Sequence, residues 1–340
     1  MKNVRLKDIA ERLDITKVSV SKALRDHPDI STETRKKVKK MADKMGYRPN
    51  LVARSLTSNK TNTIGVIVPK IAHPFFSSVI QGVYQAALDT DYEVILGISM
   101  EDAELERRHI QSMLEMRVEG MLVSISEKTK DLESFKMIRD MEVDLVFYDR
   151  GFFSDDYSYV KVEDREGAKK GVLHMIERGY PNIAHLSGKM DINVGQDRNI
   201  GQIGQERNLG YRDAFRESGL EVDEQAIVEG GFGEKDGYEG FGKLIKQHGK
   251  PEALFAVTYP VGLGALQYML DHGIDPVEIP ILSFGGSEFN RYLSYPFIIV
   301  DQPSLELGRR AFQRLVSEIT SQEKLKPELI TLPANMISDQ

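Results

Sequence analysis

The sequence has no cysteine and no tryptophan among its 340 residues, and it has no long apolar run. Without cysteine, disulfides and thiolate metal sites are excluded, which fits a reducing compartment. No apolar segment approaches the ~20 residues of a membrane-spanning helix. The charged, periodic N-terminus also lacks the apolar segment of a secretory signal. We therefore expect a cytoplasmic protein that is not embedded in a membrane.

Charge is distributed unevenly along the chain, although the whole chain carries only −7. Residues 1–60 hold 16 Lys and Arg against 7 Asp and Glu, whereas residues 61–340 hold 29 against 45. A basic head on an acidic body indicates a polyanionic partner for the head alone. The body is long enough to bury a core in more than one lobe.

The basic head has the pattern of three short helices. Apolar residues at helical spacing predict a first helix within residues 6–13, and Thr16 is placed to cap a second helix over residues 17–25. Ser31 is placed to cap a third helix that ends near Met45. Two helices joined by a tight turn, with a third that buries their apolar sides, form a helix-turn-helix. Its second helix enters the major groove of DNA. A charge run alone is typical of a solvated face, but its coincidence with this pattern predicts DNA binding.

A segment of uncertain role follows the head. Asn50 is placed to cap a two-turn helix that ends at Leu56. A helix so short is marginal in water and forms only when something packs against it. Leu56 is therefore either a stray apolar residue in a linker or a wedge of the kind that minor-groove binders insert between base steps.

The body alternates short apolar runs with amphipathic stretches. This alternation predicts βαβ units and parallel sheets, and the number of runs favours two doubly wound lobes over one sheet. In such sheets ligands bind beyond the carboxyl ends of the strands, so a cleft between the lobes is the candidate ligand site. The apolar runs are Ile64–Val68, Val94–Ile98, Met121–Ile125, Leu145–Tyr148, Val160–Val162, Ile183–Leu186, Leu254–Val257, Ile279–Phe284 and Phe297–Val300.

Patterns typical of catalysis are missing from the sequence. The 7 histidines have no zinc-binding spacing, and neither a nucleophile elbow nor a phosphate loop occurs. Residues 191–195 begin like a calcium loop but lack its later acidic positions. We expect no cofactor, no metal and no enzymatic activity. A solute-binding protein of a transport system remains the alternative, because the cleft fits both, and an enzyme built on the same lobes is third.

Several motifs, in order, carry a resemblance to a known family. They are LKDIAERLDITKVSVSKALRDHPDI, GYRPNLVARSL, TIGVIVP, HPFF, EGMLVSIS, VFYDR, NIAHLSG, GYRDAF and VDQP. Together they resemble the Lac-repressor (LacI/GalR) family of bacterial transcription regulators over nearly the whole chain. The resemblance implies an all-α helix-turn-helix head and an α/β periplasmic-binding-protein-like core of two doubly wound parallel-sheet lobes. It further implies a homodimer that binds a pseudo-palindromic operator and a small-molecule effector, with a carbohydrate suspected.

The resemblance also assigns residues in the head and hinge. It places Lys17 and Val18 at the pair that varies with operator sequence, and it makes Leu56 the hinge leucine that wedges into the minor groove. The full set of expected DNA-binding residues is Thr16, Lys17, Val18, Ser21, Lys22, Arg25, Ser31, Tyr47, Asn50, Ala53 and Leu56.

In the effector cleft the sequence departs from the family pattern. Thr258-Tyr259 stands where Asn-Asp is usual, and Gly285 stands where an Asp is usual. Gln205 stands where the family usually has an arginine in the pocket. This assignment is ambiguous, because the sequence of residues 195–201 is repeated with small changes in residues 204–210. The expected effector-binding residues are His73, Phe75, Phe76, Asp149, Arg150, Arg207, Thr258 and Gln302.

Each of these residues also has a purely structural alternative. Phe75 and Phe76 are either pocket lining or core, and Asp149-Arg150 is either a ligand anchor or an intramolecular ion pair. His73 is expected to be a hydrogen-bonded structural histidine rather than a ligand. The duplicated segment is either an enlarged loop over the cleft or an extra turn.

The domain boundaries follow from these patterns. Residues 1–49 form the helix-turn-helix domain, 50–61 the hinge and linker, and 62–340 the effector-binding and dimerisation core. Within the core, we expect a first lobe of about 62–159 and 303–322, and a second lobe of about 160–301 and 323–340. The sequence after the last apolar run has no heptad extension, which favours a dimer over a tetramer.

Overall fold

The computed structural model describes residues 4–47, 60–130, 132–189 and 203–337. The chain divides into two compact units, residues 1–61 and residues 62–340. Asn50, Ala53, Leu56 and the first copy of the repeat, residues 195–201, lie outside the described residues.

The head unit contains α1 (Leu6–Leu13), α2 (Lys17–Leu24) and α3 (Thr32–Met45). The Thr16 hydroxyl accepts a hydrogen bond from the Ser19 amide, and the Ser31 hydroxyl accepts one from the Thr34 amide. Both predicted N-caps are therefore formed, and each satisfies a backbone donor at a helix start. Apolar side chains from all three helices meet in one small cluster that includes Ile9, Val20 and Val38.

The described residues of the core unit form two sheets of six strands each. The first sheet holds β1 (Thr63–Val68), β2 (Glu93–Ile98), β3 (Gly120–Val123), β4 (Asp144–Tyr148), β5 (Ser158–Val162) and β11 (Leu329–Leu332). The second holds β6 (Ile183–Ser187), β7 (Ile227–Glu229), β8 (Ala253–Ala256), β9 (Ile281–Phe284), β10 (Ile298–Asp301) and β12 (Asn335–Ile337). The strand orders are β11-β5-β4-β3-β1-β2 and β12-β10-β9-β8-β6-β7, and every pairing is parallel except β10 with β12.

Helices cover the sheets as the alternating pattern predicts. The first lobe carries α4 (Pro74–Ala87), α5 (Ala103–Glu115), α6 (Glu133–Asp140) and α11 (Ser304–Thr320). The second carries α7 (Asp164–Glu177), α8 (Ile203–Glu217), α9 (Glu234–Gln247) and α10 (Tyr259–Asp271). The predicted fold, a helix-turn-helix head and a core of two doubly wound lobes, is confirmed.

The chain crosses between the lobes three times, after β5, after β10 and after β11. Two of these crossings differ from the expected lobe boundaries. The first sheet keeps the chain through Val162 rather than residue 159, because β5 pairs with both β4 and β11. The first lobe likewise takes residues 329–332, which were expected in the second lobe, because β11 completes the edge of the first sheet.

Candidate functional site

Within its described residues, the head exposes several of the side chains that were expected to contact DNA. Lys17 is exposed at the start of α2, and Val18 beside it is 64% exposed. Ser21 lies one turn further along, where its carbonyl accepts a hydrogen bond from Arg25 Nε. An exposed amine and an exposed aliphatic group at the N-terminal end of this helix suit a guanine edge and a thymine methyl group, respectively.

Other cations of the head are engaged within the head itself. Lys22 Nζ lies 2.6 Å from Asp29, and Lys39 Nζ lies 2.6 Å from Asp26. These pairs are exposed, so DNA phosphates can replace the carboxylates at small cost. Tyr47 is half-buried against the head core, where burial raises the pKa of its phenol.

The second candidate site is a cavity of about 80 Å³ in the core unit. Its lining follows the carboxyl ends of strands in both sheets, as the topology of doubly wound sheets requires. The first lobe contributes side chains that follow β1, β2 and β4, and the second lobe contributes side chains that follow β7, β8, β9 and β10. The predicted residues His73, Phe75, Phe76, Asp149, Arg150, Arg207, Thr258 and Gln302 all line this cavity.

The segment after β1 builds one wall from aromatic rings. His73 caps α4, because its Nδ1 accepts a hydrogen bond from the Phe75 amide at 3.3 Å. Burial, together with the charge of Arg150, lowers the pKa of His73 to about 4, so the ring is neutral near pH 7. His73 therefore has a structural role as a helix cap, and it also lines the cavity. Phe75 and Phe76 are buried and also line the cavity, so they serve both as core and as pocket wall.

Arg150, after β4, is surrounded by three carboxylates. Its Nη1 donates to both oxygens of Glu101, at 2.8 and 3.0 Å. Its Nη2 lies 3.7 Å from Glu127, and its Nε lies 3.9 Å from Asp149. The guanidinium also lies near the rings of Phe76 from the first lobe and Phe232 from the second, at 5.8 and 5.4 Å from their centroids. Arg150 thus forms intramolecular ion pairs, and it also contacts the second lobe.

Arg207 on α8 is the cationic residue that the second lobe contributes. It is almost completely buried, its Nε and Nη2 contact Asp164 at 2.9 and 2.7 Å, and its Nη1 donates to the Val257 carbonyl at 2.7 Å. Gln205 is exposed on the same helix. The assignment of the pocket arginine to Gln205 is therefore wrong. Arg207, two residues further along α8, is buried and lines the cavity instead.

In the loops after β8 and β9, small or aromatic residues stand at positions where polar residues are usual in the family. The Thr258 hydroxyl donates to the Phe232 carbonyl at 2.9 Å, which fixes the loop after β7 against α10. Tyr259 is buried in the wall. Gly285 has φ +75°, and a Cβ at this position would lie 3.1 Å from Gln302 Oε1. The left-handed backbone thus explains why a glycine stands at this position.

Sequence reasoning missed four residues of this arrangement. Glu101 follows β2, Glu127 follows β3, Asp164 follows β5, and Phe232 follows β7. The rule that ligands bind at the carboxyl ends of strands would have found the first three. Phe232 had no such signal, because β7 is only three residues long. In the described parts of the chain, no three His, Asp or Glu side chains are grouped to hold a metal.

Asp149 provides a pH-dependent contribution to stability. Burial raises its pKa to about 7, against the opposing influence of Arg150. Because this pKa lies above the ~3.9 of an unfolded aspartate, the contribution is fully present below pH ~4 and is lost as the pH rises through 7. Asp149→Asn cannot ionise, and asparagine tolerates the left-handed φ of +58°. We expect the stability of this variant, relative to the unaltered chain, to rise between pH 5 and pH 8.

Calorimetry of the core transition at four pH values in this range measures the effect. The exposed Asp91→Asn is the matched control and should give a constant difference. A stability difference for Asp149→Asn that does not change with pH would contradict the assignment of a raised pKa.

These two sites define a class of protein: a DNA-binding helix-turn-helix head joined to a ligand-binding core of two lobes. Residues 5–50 match the model of the bacterial regulatory proteins of the lacI family. Residues 61–338 match the model of the periplasmic binding proteins and sugar binding domain of the LacI family. The chain therefore belongs to the LacI family and is a ligand-responsive DNA-binding transcription regulator. Among the described helices, none is both long and apolar enough to cross a bilayer.

Curated relatives match along almost their whole length. Catabolite control protein A from Priestia megaterium is 28% identical over 332 residues, which are 97% of each chain. The HTH-type transcriptional repressor PurR from Vibrio atlanticus is 30% identical over 332 residues, which are 96% of each chain.

Solved structures share the fold. The Lac repressor dimer bound to operator and the anti-inducer ONPF has a TM-score of 0.81 at 20% identity, covering 99% of this chain and 98% of that one. A complex of the transcriptional regulator CelR with cellobiose has a TM-score of 0.72 at 23% identity, covering 99% of both chains.

Proposed function

We propose that this regulator represses carbohydrate-related genes as a homodimer that binds a pseudo-palindromic operator, with a carbohydrate or a derivative in the cleft. The observation that carries this proposal is the cavity at the strand ends of both lobes, in a chain that begins with a helix-turn-helix. Its wall offers the rings of Phe75 and Tyr259 to the apolar faces of a sugar. Asp149 and Gln302 offer hydrogen-bonding groups to its hydroxyls. The CelR complex with cellobiose, a solved structure of the same fold, is consistent with this ligand class.

Exposed apolar side chains in the first lobe support the homodimer. Leu88, just after α4, is 81% exposed, Tyr84 on the same helix is 44% exposed, and Ile71 before the helix is 48% exposed. The neighbouring strand β2 forms an edge of the first sheet. An open strand edge beside exposed apolar side chains is typical of a surface that a second copy covers.

Coupling between the ligand and DNA follows from the two-lobed core. A ligand that binds both walls of the cleft changes the angle between the lobes, because the described chain connects them through three crossings. In a homodimer this angle determines whether the two hinge segments, residues 50–61, meet and fold on DNA. The effector controls DNA binding only insofar as its affinity differs between the two lobe arrangements.

The head then reads the operator through the residues assigned to DNA. Lys17 and Val18 contact base edges, and Thr16, Ser21, Lys22 and Arg25 lie along the same groove. Ser31, Tyr47 and Asn50 contact the DNA backbone, and Ala53 and Leu56 lie at the minor groove. We place this activity in the cytoplasm, where the DNA lies, and infer that the effector is bound without being turned over.

Leu56→Ala tests the operator part of the proposal. The variant should weaken binding to a selected palindromic operator by at least about tenfold. Its binding to random duplex DNA should change little, because phosphate contacts of the basic head supply non-specific affinity. Operators are first selected from genomic DNA, and both affinities are then measured by fluorescence anisotropy at one salt concentration.

Thr57→Ala in the same segment is the control and should retain both affinities. If Leu56→Ala lowers the affinities for operator and for random DNA equally, Leu56 does not act as a wedge in the minor groove. A protein that prefers no genomic duplex over random DNA, with or without sugars, would contradict the proposed function itself.

A further inference from the structure

The arginines of the cleft are already neutralised by the chain. Arg150 faces Glu101, Glu127 and Asp149, and Arg207 contacts Asp164 through two of its nitrogens. Aromatic rings cover the guanidinium faces as well, since Arg207 lies 3.8 Å from the centroid of the Phe284 ring. An anionic ligand would have to compete with buried carboxylates for the guanidinium nitrogens that they hydrogen-bond.

Asp301 is in the opposite situation. It ends β10, lines the cavity beside Gln302 and is half-buried. Within the described residues, no Lys, Arg or His nitrogen lies at ion-pair distance from its carboxylate. Burial raises the pKa of this carboxyl, against the opposing influence of a hydrogen bond from the Gln302 backbone amide. The cavity therefore holds a carboxylate that can accept further hydrogen bonds from a ligand.

Among the described residues that line the cavity, three carboxylates, Glu101, Asp149 and Asp301, accompany three cations, Lys70, Arg150 and Arg207. Arg150 lies 2.8 Å from Glu101 and 3.9 Å from Asp149, whereas Asp301 is the lining carboxylate without such a partner. Lys70 is exposed to solvent, so water screens its charge more than that of the buried groups. A phosphate placed beside Asp301 meets like charge in a partly desolvated site, which is unfavourable. A hydroxyl or an amino group at the same place can donate to the carboxylate, whose acceptor positions are not all used by the Gln302 backbone amide.

We propose that Asp301 is a specificity-determining residue, which accepts a hydrogen bond from a hydroxyl or an amino group of the effector and rejects a phosphate at the same place. The effector is accordingly an unphosphorylated, donor-rich compound. This inference rests on the proposed function, in which the cleft holds a carbohydrate or a derivative. Glycine at position 285 contributes, because it leaves the space beside Gln302 open to the ligand.

Matched pairs of sugars and their esters test the inference on the full-length protein. The probes are glucose, galactose, mannose, cellobiose and glucosamine, with the 6-phosphates of the three hexoses, titrated by calorimetry. We expect at least one hexose to bind and its 6-phosphate to bind at least about 100-fold more weakly. Asp301→Asn keeps an acceptor oxygen but removes the charge. We expect it to reduce the ratio between the affinities for the hexose and for its 6-phosphate at least tenfold.

Two further variants make the result decisive. Asp301→Glu keeps the charge and should therefore still bind the 6-phosphate more weakly than the hexose. Asp271→Asn, an exposed carboxylate outside the cleft in the same lobe, should leave the gap unchanged. The core melting transition of each variant shows that it is folded. If Asp301→Asn fails to fold, the unaltered protein and Asp301→Glu still provide the comparison of hexose with hexose 6-phosphate.

The outcomes separate this inference from the proposed function. A 6-phosphate that binds as tightly as its parent hexose, or a gap unchanged by Asp301→Asn, overturns the role of Asp301 but leaves a carbohydrate-binding cleft. If no probe binds, the carbohydrate assignment fails together with the inference. The operator preference of the head is measured independently of either result.

Discussion

Arg207→Met should lower the free energy of unfolding of the core by about 3–5 kcal/mol. The substitution leaves the buried Asp164 carboxylate without the two nitrogens that now contact it, and it frees the Val257 carbonyl. An unpaired charge in a desolvated site is among the most destabilising changes that a single mutation makes. Urea unfolding followed by circular dichroism measures the loss.

Arg165→Met is the matched control for this prediction. Arg165 Nε lies 2.6 Å from Asp213, but the arginine side chain is 48% exposed, so this pair contributes at most about 1 kcal/mol. The double variant Arg207→Met with Asp164→Leu should recover much of the lost stability, because apolar groups replace both charges. If Arg207→Met and Arg165→Met lower the free energy of unfolding equally, burial does not determine how much Arg207 contributes to stability.

Ile9→Ala should abolish operator binding while the core unit stays folded. Ile9 is fully buried in the small cluster of the head, and an isoleucine-to-alanine change in a core costs about 2–5 kcal/mol. A domain of this size rarely has more than about 3–5 kcal/mol of stability in total. Most head units should therefore be unfolded in the variant. The head and the core are separate compact units, so the core transition in calorimetry should not move.

Ile9→Val, which removes one methylene group, is the control. It should cost only about 0.5–1.5 kcal/mol and leave most of the operator affinity. Amide hydrogen exchange in residues 6–45 reports the opening of the head directly. Full operator binding by Ile9→Ala would contradict the view that this cluster maintains the reading head.

The α/β core could be predicted where hydrophobic periodicity is strong. All nine predicted strands occur, and most of them are continuous apolar runs because both of their faces are buried. The missed strands β7, β11 and β12 have three or four residues and lie at sheet edges, where burial imposes little pattern. On α9, a glycine is required at position 237, because a Cβ there would lie 2.0 Å from the Val261 carbonyl oxygen on α10.

The division into a basic helical head and an acidic two-lobed core could be predicted from the amino-acid sequence, because charge and periodicity are local properties of the chain. The sequence pattern also predicted a cleft at the strand ends and eight residues that line it. How these residues interact depends on the folded arrangement. The neutralisation of Arg150 by Glu101, the choice of Arg207 over Gln205, and the unpaired state of Asp301 depend on groups brought together from distant loops. Spacing along the chain does not encode such encounters, because the packing of the two sheets sets the distances.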